Sequence, residues 1–380
     1  MAALLFCLAV CGCGKGDVVS PVTDPAVTTA SSVLNLPSIP YNYSHPALPA
    51  YLSTPVITGE MAATTNVVTD DGATLGRVLF YEKNLSLNRT ITCASCHQQQ
   101  NSFSDNVAFS SGFNGSLGAR NAMSLTDAAY YPDGKYFWDE RAASLEAQVL
   151  GPIQNPVEMG LTLDTMVSRL NALNYYPALF TKAFGDATIT SGRVSLALAQ
   201  FVRSINSYQS KYDAGRQALG ATQPVDKIAF TNFTAAENRG KQLFFDPTLA
   251  NCAACHGTET FTAARPQNNG LDLVYTDKGV GGITGIPQQV GLFKVPSLRN
   301  IALTAPYMHD GRFATLEQVI EHYSTGVQAT ANLSGPLRGP GGAPRLLNLS
   351  ADDKAALVAF LKTLTDQSLV SDVKYSNPFR

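Results

Sequence analysis

Nowhere does the sequence carry the roughly 20 consecutive apolar residues that a membrane-spanning helix needs. It has no basic excess either: 27 Lys and Arg face 29 Asp and Glu, for a net charge of −2. That excludes the electrostatic footprint of a nucleic-acid binder, and no long run of one sign marks a polyelectrolyte tail. Histidine is scarce, with five residues, and tryptophan occurs once, as Trp138. Few stretches alternate apolar and polar residues as strands do, so the expected class is mainly α. Of seven cysteines, Cys7, Cys11 and Cys13 lie in a short apolar N-terminal run, and the other four form two Cys-x-x-Cys-His units. No cysteine beyond the leader is left for a disulfide or a zinc site.

Residues 1–13 read as an export signal. The run AALLFCLAVCGC is apolar but short. Val10-Cys11-Gly12-Cys13 resembles a bacterial lipobox, which makes Cys13 the acylated residue; a cleaved, unlipidated secretory signal is the alternative. No Lys or Arg precedes the run, a departure from the usual pattern. Either form sends the chain to the periplasm, with membrane contact only through a lipid anchor. Residues 14–65, with a Pro-, Ser-, Thr- and Val-rich start, are expected to form a tether and lead-in segment.

The rest divides into two halves that resemble each other. GRVLFYEKNL, starting at Gly76, leads into CASCH; GKQLFFDPTL, starting at Gly240, leads into CAACH. Thr234-x-x-Glu237 is a capping-box signal for a helix start. Downstream, YFWDERAASLE from Tyr136 echoes YMHDGRFATLE from Tyr307, so Trp138 pairs with His309. An internal duplication follows as the expectation: a haem domain at 66–225 and a second at 226–380, both helical and cytochrome-c-like. Residues 193–206 have helical periodicity, and Ser350 caps an amphipathic stretch, 351–365.

In Cys-x-x-Cys-His, the thiols add to the vinyl groups of a haem and the histidine binds its iron. Cys93, Cys96 and His97 thus hold one haem c, and Cys252, Cys255 and His256 a second. What stands opposite each histidine decides the chemistry. Two strong protein ligands make an electron carrier, whereas an open sixth position binds peroxide or O₂. The other histidines are His45, His309 and His322, and no methionine lies beyond Met308.

Taken in order, GRVLFYEKNLS…CASCH, GARNAMSL, FWDERA, GPIQNPVEMG, FKVPSLRNIALTAPYMHDGRFATLEQVIEHY and AALVAFLKTL resemble the bacterial di-haem cytochrome c peroxidases. They resemble especially the MauG-like branch, and within it the group found with methanobactin genes. The matching pieces span residues 66–365.

The resemblance implies site residues one by one. Where activation-dependent peroxidases carry a distal histidine, the loop 110–118 has none, and Phe113 takes the place. That implies a first haem already open to peroxide, with Gln148, Pro152 and Glu158 on its distal side. Glu158 would move a proton between the peroxide oxygens. Tyr323 is the implied second ligand of the second iron, with His322 as the alternative. It stands as far beyond His309 as Pro152 stands beyond Trp138. Trp138 is the implied relay between the haems. A Ca²⁺ site is implied at the Asn121 side chain and the carbonyls of Thr304 and Pro306.

The expected activity is that of an oxidoreductase. It would use H₂O₂ to form a high-valent bis-Fe(IV) state and oxidise a residue of a partner protein, a tryptophan, by long-range electron transfer. The partner would be a secreted or periplasmic protein, such as a copper-binding protein whose Trp becomes kynurenine. The first alternative is an H₂O₂-detoxifying cytochrome c peroxidase fed by a small cytochrome or cupredoxin. Phe113 and Tyr323 argue against it, because such enzymes usually carry His and Met there. The second is a non-enzymatic electron-transfer cytochrome, which requires strong ligands on both irons.

Overall fold

The computed structural model describes residues 33–52, 65–220 and 223–380. The expected leader, with Cys13, lies outside them. Among the described residues the chain is helical and has no sheet; isolated bridges such as Tyr136–Ala142 and Tyr307–Phe313 pin the loops. No helix among them is long and apolar enough to cross a membrane.

Each haem motif follows a helix that packs on a later one. Asp70–Phe80 is capped by Thr69, whose side chain accepts from the Gly72 N–H, and carries Asp70 and Asp71 in its first turn. Both features satisfy the positive, donor-rich end of a helix. It packs on Ser191–Arg203. In the second half, Ala235–Phe245 opens with the expected Thr234–Glu237 capping box. It packs on Ala351–Lys362, capped by Ser350.

Both pairs touch through a glycine. A Cβ at Gly76 would lie 2.0 Å from the Ala197 carbonyl oxygen, and one at Gly240 would lie 1.9 Å from that of Ala356. The obstacle is backbone, so the helices themselves would have to part. Gly240→Ala is therefore expected to cost about 1–3 kcal/mol despite its better helix propensity. Thermal unfolding of the variant checks this; an unchanged midpoint contradicts the close approach.

The packing forms two main apolar cores. One gathers residues from Leu34 to Ile205, the other from Tyr212 to Leu364. The C-terminal segment crosses back, and Leu369 and Tyr375 join the first core. Arg77 Nε donates to the Ser376 carbonyl at 2.7 Å. The described part of the expected tether is also packed: Leu34, Tyr43, Tyr51 and Leu52 are buried. The Tyr43 and Ser44 N–H groups both donate to Asp70 Oδ1 at 2.8 Å. Apolar residues spaced along 33–52 explain why this stretch docks.

Candidate functional site

Cys93–Cys96 forms one helical turn, and the His97 N–H donates to the Cys93 carbonyl at 2.9 Å. In the second motif Cys252 precedes the turn Ala253–His256, and the His256 N–H donates to the Cys252 carbonyl at 3.0 Å. Each motif histidine then uses Nδ1 on a backbone carbonyl: His97 on Phe103 at 3.0 Å, His256 on Phe261 at 2.8 Å. Donating Nδ1–H fixes the tautomer that leaves the Nε2 lone pair for a metal. Both phenylalanines are fully buried and sit in left-handed backbone, φ 57° and 56°. Such a conformation is costly for a non-glycine residue and persists only where the surroundings hold it. Sequence reading missed this pair. The available signal was an aromatic followed by Ser or Thr shortly after each motif histidine.

Burial disfavours charge on these groups. It pushes His256 down to about 4 and lowers His97, so both imidazoles are neutral and able to ligate. The Cys93 and Cys252 thiols are pushed up to about 12 by burial and by their motif partners. Beside Cys252, Cys255 and His256 lies a mostly apolar cavity, about 1400 Å³ of empty space with its open side included. Half-buried thiols, an oriented imidazole and apolar walls of that extent fit a covalently held porphyrin.

The cavity brings together residues from both halves. Tyr323 lines it with His256, as do His309 and Trp138. Tyr323 sits in a π-helical turn, His322–Gly326, that follows Leu316–Glu321. Such widened turns occur often at functional sites because they shift the side-chain register. Burial holds the Tyr323 phenol well above its ordinary value. His322 directs Nε2 to the Asn269 carbonyl, 3.1 Å away.

Trp138 belongs to the first half yet enters the second-motif cavity. Its Nε1 donates to the Asn121 carbonyl at 2.8 Å, and its own carbonyl accepts from the Lys294 N–H at 2.8 Å. Its ring meets His309 edge-on at 6.5 Å, and His309 stacks on Phe293 at 3.9 Å. Arg120 locks this junction, pairing with Asp139 at 2.5 Å and with Asp277 at 2.7 Å. Asn121 also donates its Nδ2–H to the Val107 carbonyl at 3.0 Å and its N–H to the His309 carbonyl at 2.7 Å.

Around the first motif, Gln148 and Pro152 lie one turn apart on Leu145–Gln154, capped by Ser144. The chain then doubles back, with the Met159 N–H on the Pro152 carbonyl at 3.2 Å. This places Glu158 near the motif, where its charge helps raise the Cys93 and Cys96 thiols. Asn155 Nδ2 donates to Glu158 Oε1 at 2.7 Å. Burial raises the Glu158 carboxyl above its ordinary value, and Asn155 and Arg141 only partly oppose it. Phe113 packs alongside: its N–H donates to the Glu158 carbonyl at 2.8 Å, and its ring covers Gly160. The backbone N–H of His45, in the N-terminal stretch, donates to Asn42 Oδ1 at 2.9 Å.

A helical chain with two such motifs is a di-haem c-type cytochrome. It belongs to the di-haem cytochrome c peroxidase family, whose pattern matches residues 70–218 and 234–336. It is 33% identical over 312 residues to the methylamine utilization protein MauG of Methylophilus methylotrophus, covering 81% of this chain and 86% of that protein. It is 32% identical over 299 residues to the cytochrome c551 peroxidase of Nitrosomonas europaea, covering 78% and 80%. A crystal structure of a MauG-like protein associated with microbial copper homeostasis matches with a TM-score of 0.71 at 34% identity, covering 89% of this chain and 99% of that one. The chain is thus an oxidoreductase of the peroxidase and MauG type, with two haems as its cofactors.

Proposed function

We propose that the chain uses H₂O₂ at the first haem and oxidises a residue of a periplasmic partner protein, a tryptophan, by electron transfer over a distance. The observation that carries this reading is Trp138, an oxidisable indole of the first half seated in the cavity of Tyr323 and His256. Bound haem supplies an iron whose sixth position takes either peroxide or a protein ligand. The protein does the rest. Phe113 and Pro152 offer no strong donor at the first site. Glu158 carries the proton between peroxide oxygens. Tyr323 would hold the second iron through its oxygen, the bound iron displacing the proton that burial otherwise keeps on the phenol, and that anionic charge would favour oxidised iron and let the two sites share oxidising equivalents. Trp138 joins them.

The likeness to a MauG-like protein associated with copper homeostasis supports a copper-binding partner. The likeness to a cytochrome c551 peroxidase keeps a small redox donor as the second reading. Ca²⁺ is proposed at Asn121 with the carbonyls of Thr304 and Pro306, beside the carbonyl that holds Trp138. The two helix pairs, each closed on a glycine, support reading the halves as one duplicated unit, 66–225 and 226–380. Periplasmic export, with or without acylation of Cys13, completes the proposal.

Electron paramagnetic resonance of the resting ferric protein tests the ligand assignment. One high-spin and one low-spin signal are expected, together with prompt spectral change on adding H₂O₂ without prior reduction. Two low-spin signals, or reaction only after half-reduction, would overturn it.

A further inference from the structure

Asn269 ties Met308 to the turn that carries Tyr323. Its Nδ2 lies 3.4 Å from Met308 Sδ, and its carbonyl holds His322, the neighbour of Tyr323. Both Met308 and Tyr323 line the cavity against Cys252, Cys255 and His256.

The backbone supports a specific aim for Met308. Its φ is 76°, in the left-handed region, and Phe137, its counterpart in the first half, has φ 67°. A non-glycine residue there costs about 1–3 kcal/mol unless its surroundings hold it. In the first half, the kink directs the Phe137 ring to within 3.2 Å of a Cβ built on Gly151, next to Pro152. In the second half, the same kink directs position 308 toward Asn269, whose carbonyl holds His322 beside Tyr323. The geometry is shared, but the side chain differs. A phenyl ring cannot bind iron, whereas a thioether can.

We propose that Met308 is a second ligand for the haem attached at Cys252 and Cys255, exchanging with Tyr323 when that iron is reduced. This rests on Tyr323 facing the second iron. Phenolate favours ferric iron, and thioether favours ferrous iron. An external one-electron donor, such as dithionite or a small redox protein, supplies the electron. The bond from iron to the Tyr323 oxygen breaks, that oxygen takes one proton from water, and the bond from iron to Met308 Sδ forms. Met308 thereby lets one site serve both oxidation states without leaving an empty position.

Resonance Raman and near-infrared magnetic circular dichroism of the full di-haem protein test this, on wild type, Met308→Leu, Tyr323→Phe and the double variant. After dithionite, the second haem of the wild type is expected to stay six-coordinate and low-spin; in Met308→Leu it becomes five-coordinate and its midpoint potential falls. Ferric Tyr323→Phe is expected to gain the near-infrared thioether-to-iron charge-transfer band, and the double variant to lose it. If ferric Tyr323→Phe changes spectrum without that band, and reduced Met308→Leu matches the wild type, Met308 is not a ligand while Tyr323 still is. If ferric Tyr323→Phe is spectrally identical to the wild type, the exchange fails together with the assignment of Tyr323.

Discussion

Replacing Glu158 by glutamine is expected to slow the reaction with H₂O₂ by about 10²–10⁴-fold while leaving both haems attached, the range over which a positioned acid–base group contributes. Splitting the O–O bond requires a proton to leave the inner oxygen and arrive at the outer one. Glu158 is suited to carry it. Its Oε1 is held by Asn155, its position is fixed by the doubled-back turn on Pro152, and burial keeps its carboxyl above the ordinary range. Glutamine keeps the size and can still hydrogen-bond, but it cannot exchange a proton in the same way. Stopped-flow mixing of the ferric variant with peroxide reads the effect. A rate within a few-fold of wild type would remove Glu158 from the chemistry and leave it a turn-forming residue.

The second large effect is structural. Arg299 is fully buried and joins the two halves. Its Nη1 meets Asp213 at 2.9 Å, its Nη2 donates to the Glu259 carbonyl at 2.8 Å, and its Nε lies 3.6 Å from Asp127 Oδ2. Arg299→Leu leaves two carboxylates in a dry interior. Breaking a buried pair this way costs about 3–5 kcal/mol.

The loss should depend on pH, with a definite sign. Burial pushes Asp127 up to about 7, with Arg299 pulling the other way. A carboxyl raised in the folded state holds a proton that the unfolded chain has released. Its contribution to stability is therefore full below the unfolded value and lost as pH rises toward 7. Removing Arg299 raises the folded value further. The deficit of Arg299→Leu should therefore be larger at pH 8 than at pH 5. Denaturant unfolding at the two pH values checks this, and equal deficits would mean that these carboxylates stay paired without Arg299.

The chemistry-bearing core of this protein was legible in its residues. Covalent attachment needs two thiols and a histidine on one turn, so Cys93, Cys96 and His97 and their counterparts announce themselves. Helix starts are equally local. Thr234 with Glu237, and Ser350, satisfy the N–H groups of the turn that follows them, and the helices begin there. Tyr323 and Trp138 were expected from the family resemblance, with equal spacing in the two halves as a second argument for Tyr323, and the structure brings both to one cavity. The spacing is equal because both halves hang the same positions on the same kinked loop.

What the sequence left open was decided by contacts between distant segments. The orientation of His97 and His256 depends on the carbonyls of Phe103 and Phe261, and a carbonyl has no side-chain signature. The π-turn at His322–Gly326 arises from packing rather than from a residue type. The docking of residues 33–52, the return of the C-terminal segment and the buried Arg299 with its two aspartates exist only after the halves meet. Above all, Trp138 lies one motif away in the chain from the cavity it enters. Periodicity and capping act over a few residues, so the sequence determined the haem loops and the helices that follow from such rules. Burial and charge pairing act across the folded interior, so only the tertiary structure could place the indole of one half in the cavity of the other.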